Sequence, residues 1–597
     1  MLVPRSLIPA ALLVAGCLAG SPAGAQSDTH AGHHHAEGGP ESRAAAAHAV
    51  TWRRPGTANP ESWVRFKVLG INDFHGQLQP RALFGRPVGG AAVLAAYLQA
   101  AAAEAPQGAL LIHAGDQVGA SPPVSALLQD EPSISFLNLL ANRHCSYRFR
   151  LHPLCNLTGT LGNHEFDEGS AELLRLLEGG NHDDGPFQED PWRGARYPTV
   201  SANVVWADSG EPLLPPSVVK RVRGLPVAIV GAVLRETPTI VTPAGVAGLS
   251  FLDEAEAINA EVERLRRRGV EAIIVSIHQG TRQSPSSDDP TPAEPVVLDG
   301  AIGEIVRRLD DAVDLVVSGH AHSFTNALVE NDNGTPILVT QAFSASTAYG
   351  DIDLALDPRS RDIVYKSARI LTTWADEGPG LTPDPEVAAL VADAAETVAP
   401  LVEQVIGIAA TDITRATTAA GESALGNLIA DAQRAAMGTE IALMNPGGIR
   451  DDILAGEVTW GELFSVQPFG NDLVRMTLSG AQLIALLDQQ WAGQPFARIM
   501  KPSGLSYTWR ENDPATFADN RVDPASILVN GVPLDPTASY SLTVNSFMAG
   551  GGDNFSILTE GTDRVVGPVD LDALIAHIES LPQPFGAAVE GRISVAP

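Results

Sequence analysis

The chain has 597 residues, 44% of them apolar, and its 70 acidic against 39 basic side chains leave a formal charge of −31. That length exceeds what one hydrophobic core organises, and the apolar content excludes a largely disordered chain, so two or more packed domains are expected. A surface this acidic repels phosphate backbones and anionic bilayers, which argues against general nucleic-acid or membrane-surface binding. A small anionic substrate would need a local cationic site built from metal ions or a few arginines.

In chain order, Arg5 is followed by an apolar run from Leu7 to Leu18, then by Pro22 and Ala23-Gly24-Ala25. This pattern predicts a signal peptide over residues 1–25, too short to span a bilayer. Val14-Ala15-Gly16-Cys17 offers a second cleavage reading, a lipobox with a lipid anchor on Cys17. Both readings export the chain to the periplasm or beyond, and no later stretch is long and apolar enough for a transmembrane segment. Residues 26–62 read as a disordered His/Ala/Gly-rich linker; His30, His33, His34 and His35 could capture metal weakly, but a solvated tail is the simpler reading. Outside the leader the cysteines are Cys145 and Cys155, which flank HCSYRFRLHPLC and can close a disulfide in an oxidising compartment. A loop of that size gains about 3 kcal/mol in the chain-entropy picture.

From Val64 the runs VRFKVLGI, ALLIHAG, VAIVGAVL, EAIIVSIH, VDLVVSGH and PILVTQAF read as buried strands. Helical stretches lie between several of them; the clearest is 253–268, with Asp253 as N-cap and Gly269 as the stop. Alternation of this kind predicts an α/β domain over 63–375. Residues 376–402 open on Pro and Gly and continue as an Ala-rich linker helix, and the stretch Gly378–Pro385 is a candidate hinge. A second α/β domain is expected over 403–597, with a strong helix from Ser423 to Met437 that gathers Leu425, Leu428, Ile429 and Ala432 on one face.

Candidate ligands collect at the strand ends of the first domain, where α/β proteins build sites. Asp73 and His75 close the first strand, and on extended chain an i, i+2 pair points to one side. Asp116 follows the next strand, Asn163-His164-Glu165-Phe166-Asp167 comes later, His278 ends EAIIVSIH, and His320 and His322 end VDLVVSGH. Each alone reads as a satisfied polar residue. Together they form a mixed N/O donor set suited to Zn, Mn, Co or Fe and too rich for one ion, which points to two divalent metal ions sharing a carboxylate.

In this order D-x-H, GDxxxxSP, GNHEFDxG, HxG and GHxH resemble the calcineurin-like metallophosphoesterases, and NDFHG and GNHEFDEG resemble the periplasmic 5′-nucleotidase family in particular. The resemblance implies a four-layer α/β/β/α sandwich joined by a helix to a C-terminal α/β substrate-binding domain. It implies that Asp73, His75, Asp116 and His322 hold one metal and Asp116, Asn163, His278 and His320 the other, Asp116 bridging. By the same resemblance a metal-activated hydroxide attacks phosphorus, with His164 as the catalytic histidine and Asp167 orienting it. Phe469 and Phe547 would sandwich a nucleobase, Asp553 would take the ribose hydroxyls, Asn445 the base, and Arg450 the anionic part of the substrate. The activity implied is that of an exported 5′-nucleotidase, a monomer acting on a small nucleotide. The other readings are a 2′,3′-cyclic nucleotide phosphodiesterase/3′-nucleotidase or a UDP-sugar/NAD pyrophosphatase on the same scaffold, and a non-enzymatic metal- or ligand-binding protein.

Three departures from the resemblance stand out. Many relatives carry an arginine where this chain has Gly421 or Ala419, and Arg415 is the nearest substitute. Pro446 replaces a usual glycine and stiffens the loop at Asn445. The Cys145–Cys155 segment reads as an insertion near the rim of the metal site.

Overall fold

The computed structural model describes residues 52–53, 60–105, 107–511 and 517–596. The signal and lipobox readings, the His-rich tract and nearly all of the 26–62 linker lie outside the described residues.

All six apolar runs are strands, and they are buried on both faces, as parallel strands covered by helices must be. They divide between two sheets. One is seven-stranded and places Val64–Ile71, Ala109–Ala114, Leu157–Thr160 and Thr199–Val200 side by side and parallel. The other is six-stranded and runs Leu225–Val233, Ala272–His278, Val313–Ser318 and Pro336–Ala342 in parallel. Phe66, Val68, Ile112, Ile229, Ile274, Val317 and Leu338 fill the space between the sheets. Helices Ala91–Ala103 and Glu131–Leu140 cover the outer face of the first sheet, and Glu254–Arg266 and Gly300–Arg308 that of the second. The result is a four-layer α/β/β/α sandwich whose parallel strands point their C-terminal ends in one direction. Helix Glu254–Arg266 begins as its sequence demands, Asp253 accepting from the Glu256 amide at 3.0 Å.

Helix Pro385–Val402 is capped by Asp384, and its Val387, Ala394 and Val398 belong to the core on the outer face of the first sheet. The stretch before it is also tied down. Arg86 forks onto Asp376 at 2.6 and 3.1 Å and lies 4.0 Å above the Trp374 ring, and Tyr97 Oη donates to the Trp374 and Glu377 carbonyls. Gly378–Pro385 is therefore held at both ends by the first sandwich, and the joint between the two halves comes later, after Val402.

Beyond that joint a five-stranded sheet has the order Lys501–Ser503, Ile441–Met444, Ser539–Asn545, Asp472–Ser479, Thr562–Val569. Helix Ala424–Met437, capped by Ser423 and stopped by Gly438 at φ 61°, buries Leu425, Leu428, Ile429 and Ala432 against it. Cys145 and Cys155 are joined. The segment they close precedes strand Leu157–Thr160, and Arg221, near the end of strand Ser217–Val222 and beside the start of strand Leu225–Val233, donates its amide to the Pro153 carbonyl. It thus sits at the N-terminal ends of the strands, opposite the ligand loops, and not at the metal-site rim, because the ligands all follow their strands.

Candidate metal centre and cleft

The candidate ligands converge through the backbone as much as through their side chains. Asp73, His75, Asp116, His320 and His322 have φ of 49°, 48°, 49°, 72° and 48°, the left-handed region that costs a non-glycine residue about 1–3 kcal/mol. Asp73 and His75 therefore meet because the chain coils left-handed just past its strand, and not through the pleat of extended chain. Close approach is made possible by small neighbours: a Cβ on Gly162 would stand 2.1 Å from Asp116 Oδ1.

Two clusters result. Ligand atoms of Asp73, His75, Asp116 and His322 lie within 4.8 Å of one another, as do those of Asp116, His278 and His320. Asn163 joins the second cluster through Oδ1, 3.0 Å from His320 Nδ1. Asp116 is the shared member. The outer nitrogens fix which atoms face inward: His75 Nδ1 donates to the Gly119 carbonyl at 2.8 Å and His278 Nδ1 to Ala114 at 2.7 Å, so Nε2 of each carries the free lone pair. His75 Nε2 lies 3.0 Å from His322 Nε2, which is 3.2 Å from Asp73 Oδ1, and the buried His278 Nε2 lies 3.0 Å from Asp116 Oδ2. Lone pairs crowded in this way fit divalent cations.

The electrostatics agree. Burial pushes His75 and His320 down to about 3, the neutral form that ligates. Burial also depresses His278, but the Asp116 and Asp73 carboxylates outweigh it and lift the ring to about 10, the mark of a pocket with too much negative charge.

Three supporting residues had no role assigned from the sequence, although two of them stand inside the motifs NDFHG and GNHEFDEG. Asn72 donates to Asp73 Oδ2 at 2.6 Å and to the Phe343 carbonyl, and accepts from the Ala342 amide. Glu165 accepts the amides of Asp116, Gln117 and Gly162, binding two ligand loops with one carboxylate. Gln341 accepts from the Ala321 amide between the two histidines of the last loop.

His164 Nδ1 is 2.7 Å from Asp167 Oδ2, and its amide donates to Asp116 Oδ1 at 2.9 Å. Burial pulls this imidazole down, but Asp167 and Asp116 hold it above its ordinary value. A cleft of about 950 Å³ opens from here between the two halves, lined by Asn163, His164, Asp167 and His320 on one side and by Asn445, Arg450, Phe469, Phe547 and Asp553 on the other. The Phe469 ring stacks on His164 with centroids 5.8 Å apart, and Arg450 Cζ stands 5.8 Å from the same ring. No ring contact joins Phe469 and Phe547 among the described residues, although both line the cleft. Asn445, fixed at the head of the short helical turn Pro446–Gly448, donates to Asp553 Oδ2 at 2.9 Å. Arg415 is different: it is exposed beside Arg450, bonded through its amide to Asp452, and does not reach the cleft wall. Gln494, Phe496 and Arg498 do line it, and nothing in their sequence context marked them.

Comparison with known proteins gives two matching families: calcineurin-like phosphoesterase over residues 66–324, and 5′-nucleotidase, C-terminal domain, over residues 402–560. The chain is 34% identical over 567 residues to Endonuclease YhcR of Bacillus subtilis, covering 93% of this chain and 43% of that protein. It is 32% identical over 555 residues to Cell wall protein Lmo0130 of Listeria monocytogenes, covering 86% and 67%. It therefore spans less than half of the first relative and about two thirds of the second. The crystal structure of a 5′-nucleotidase precursor from Thermus thermophilus matches with a TM-score of 0.72 and 29% identity over 89% of this chain and 99% of that one.

Proposed function

The chain belongs to the 5′-nucleotidase family of calcineurin-like phosphoesterases and is a metal-dependent phosphoesterase, and on that premise we propose that it is an exported enzyme that releases phosphate from nucleoside 5′-monophosphates. One observation carries the reading: a single cleft has the ligand clusters and the His164–Asp167 pair at one end and Asn445, Arg450, Phe469, Phe547 and Asp553 at the other. Residues 63–375 then perform the chemistry, 403–597 select the substrate, and 376–402 connect them. Export is supported by the apolar run Leu7–Leu18, by the Cys145–Cys155 disulfide and by the cell-wall relative.

Asp73, His75, Asp116 and His322 would hold one divalent cation, and Asp116, Asn163, His278 and His320 a second, drawn from Zn, Mn, Co or Fe. Such a pair lowers the pKa of bound water and polarises phosphoryl oxygens. His164, its Nδ1 committed to Asp167, has Nε2 left to donate to a phosphoryl or leaving-group oxygen, and the neighbouring carboxylates favour the protonated ring that this requires. Arg450 offsets the charge of the substrate phosphate. Phe469 and Phe547 take the base between them, worth about 1–3 kcal/mol. The endonuclease named among the relatives suggests a polymeric substrate, but a chain of net charge −31 with two arginines on the cleft wall suits a mononucleotide better.

Turnover of AMP, 2′,3′-cyclic AMP, NAD, UDP-glucose and single-stranded DNA, read as loss of substrate and by chromatography of the products alongside inorganic phosphate, tests this. AMP is expected to be hydrolysed with the highest kcat/KM. A preference of tenfold or more for any of the others would replace the reading.

A further inference from the structure

Arg498 lies between helix Gly480–Asp488 and strand Lys501–Ser503, on the cleft wall beside Asp553. Only 7% of it is exposed. Its Nε is 3.3 Å from Asp553 Oδ1, its Nη1 donates to Gln494 Oε1 at 2.6 Å, and the Phe496 ring lies 4.6 Å from Cζ, holding the guanidinium plane. Gln494 is fixed in turn by donating to the Asp553 carbonyl at 2.7 Å. Nη2 takes part in none of these bonds, and Arg498 lines the cleft. Asp553 itself is held at φ 56° with Oδ2 accepting from Asn445, which leaves each carboxylate oxygen a further lone pair.

The wall thus presents a free donor edge and a carboxylate next to each other. A vicinal diol matches that pair, because each hydroxyl donates and accepts. A phosphate in the same place offers acceptors only and brings negative charge against Asp553, and a 2′,3′-cyclic phosphate has no hydroxyl proton to give. Arg415 stays off the wall. Among the described lining residues the guanidinium groups are those of Arg450 and Arg498. We propose that Arg498 and Asp553 together read the ribose cis-diol, Arg498 donating from Nη2 to one hydroxyl oxygen while Asp553 accepts hydroxyl protons, so that the enzyme selects ribonucleoside 5′-monophosphates with a free diol over deoxy, 3′-phosphorylated and 2′,3′-cyclic forms. This rests on the proposed placement of the nucleoside and adds a specificity residue that it lacked.

The test compares kcat/KM for AMP, 2′-deoxy-AMP and 3′-deoxy-AMP within each variant, so that the ratios are independent of overall activity. In the unaltered enzyme each missing hydroxyl is expected to cost about 10- to 100-fold. In R498M the penalty for one hydroxyl falls below about threefold while the other persists, and R498K restores part of the lost discrimination. Loss of both penalties in R498M would reduce Arg498 to a prop for Asp553, and retention of both would remove it from the site; either overturns the proposal. If R498M does not fold, R498Q carries the same comparison. If the unaltered enzyme releases no phosphate from AMP, the proposed function fails, and calorimetry with adenosine and its two deoxy analogues reads the same ratios for Arg498.

Discussion

Glu165 shows how much of the candidate metal centre rests on residues outside its ligand clusters. Its carboxylate takes three backbone amides from the loops that deliver Asp116 and Asn163, so both loops share one anchor. In E165Q an amide NH₂ faces one of those N–H groups. Metal affinity measured by calorimetry should fall about 10- to 100-fold, as for other residues that orient ligands, and excess metal should restore most of the turnover. Unchanged metal affinity would show the three bonds to be dispensable. Residues of this kind escaped the sequence because a carboxylate bonded to backbone leaves no pattern of spacing. The candidate ligands stood out because their chemistry and order are distinctive, but their geometry did not: the pairing of Asp73 with His75 was expected from the pleat, and in fact depends on left-handed turns, which Asp and His adopt more readily than most residues but which no spacing pattern marks. Arg498 was invisible for a related reason, since an arginine between a helix and a strand usually reads as solvated surface.

At the level of elements, the strands were legible where Val, Ile and Leu run without interruption, because burial on both faces demands it. Ala348–Leu356 and Ile363–Thr372 were missed; they mix polar and apolar residues, and their antiparallel pairing is set by tertiary contact. Strand Ser217–Val222 holds another residue that runs against its pattern. Lys220 is wholly buried there, with Nζ donating to the Leu157 carbonyl at 3.0 Å, and burial pushes its ammonium down to about 7. The folded chain therefore releases a proton that the unfolded chain keeps, and stability should climb as pH rises from about 7 towards the ordinary lysine value. K220M removes that cost. It is expected to stabilise the fold by about 1–3 kcal/mol at pH 7 and by much less at pH 10. Thermal melts at the two pH values decide it; equal gains at both would mean that the ammonium is solvated.

For the whole molecule, the stack of Arg450 on Phe469 on His164 joins the second half to the end that carries the ligand clusters. Nucleotide exchange is expected to part the halves there. The linker helix moves with the first sandwich, whose core it shares, so the bend is expected at Val402–Gln404, where Trp460 donates its amide to Gln404 at 2.8 Å and Gly461 passes close against Val402. A disulfide introduced by Pro243→Cys and Gly550→Cys, where a Cβ on Gly550 would stand 3.2 Å from the proline ring, should hold the cleft shut and cut turnover at least tenfold under multiple-turnover conditions, with recovery on reduction. The parent chain carried through the same reduction controls for Cys145–Cys155. Full turnover while crosslinked would show that opening is not part of the cycle. The central claim, that two ligand clusters sharing Asp116 make one phosphohydrolase centre, meets its most direct test in a titration. Chelator-stripped protein is given Mn²⁺ in steps while bound metal and phosphate release from AMP are measured together. The clusters predict activity that saturates at two ions per chain, with D116A binding neither tightly. Full activity at one ion per chain, or D116A retaining both, would contradict the shared centre.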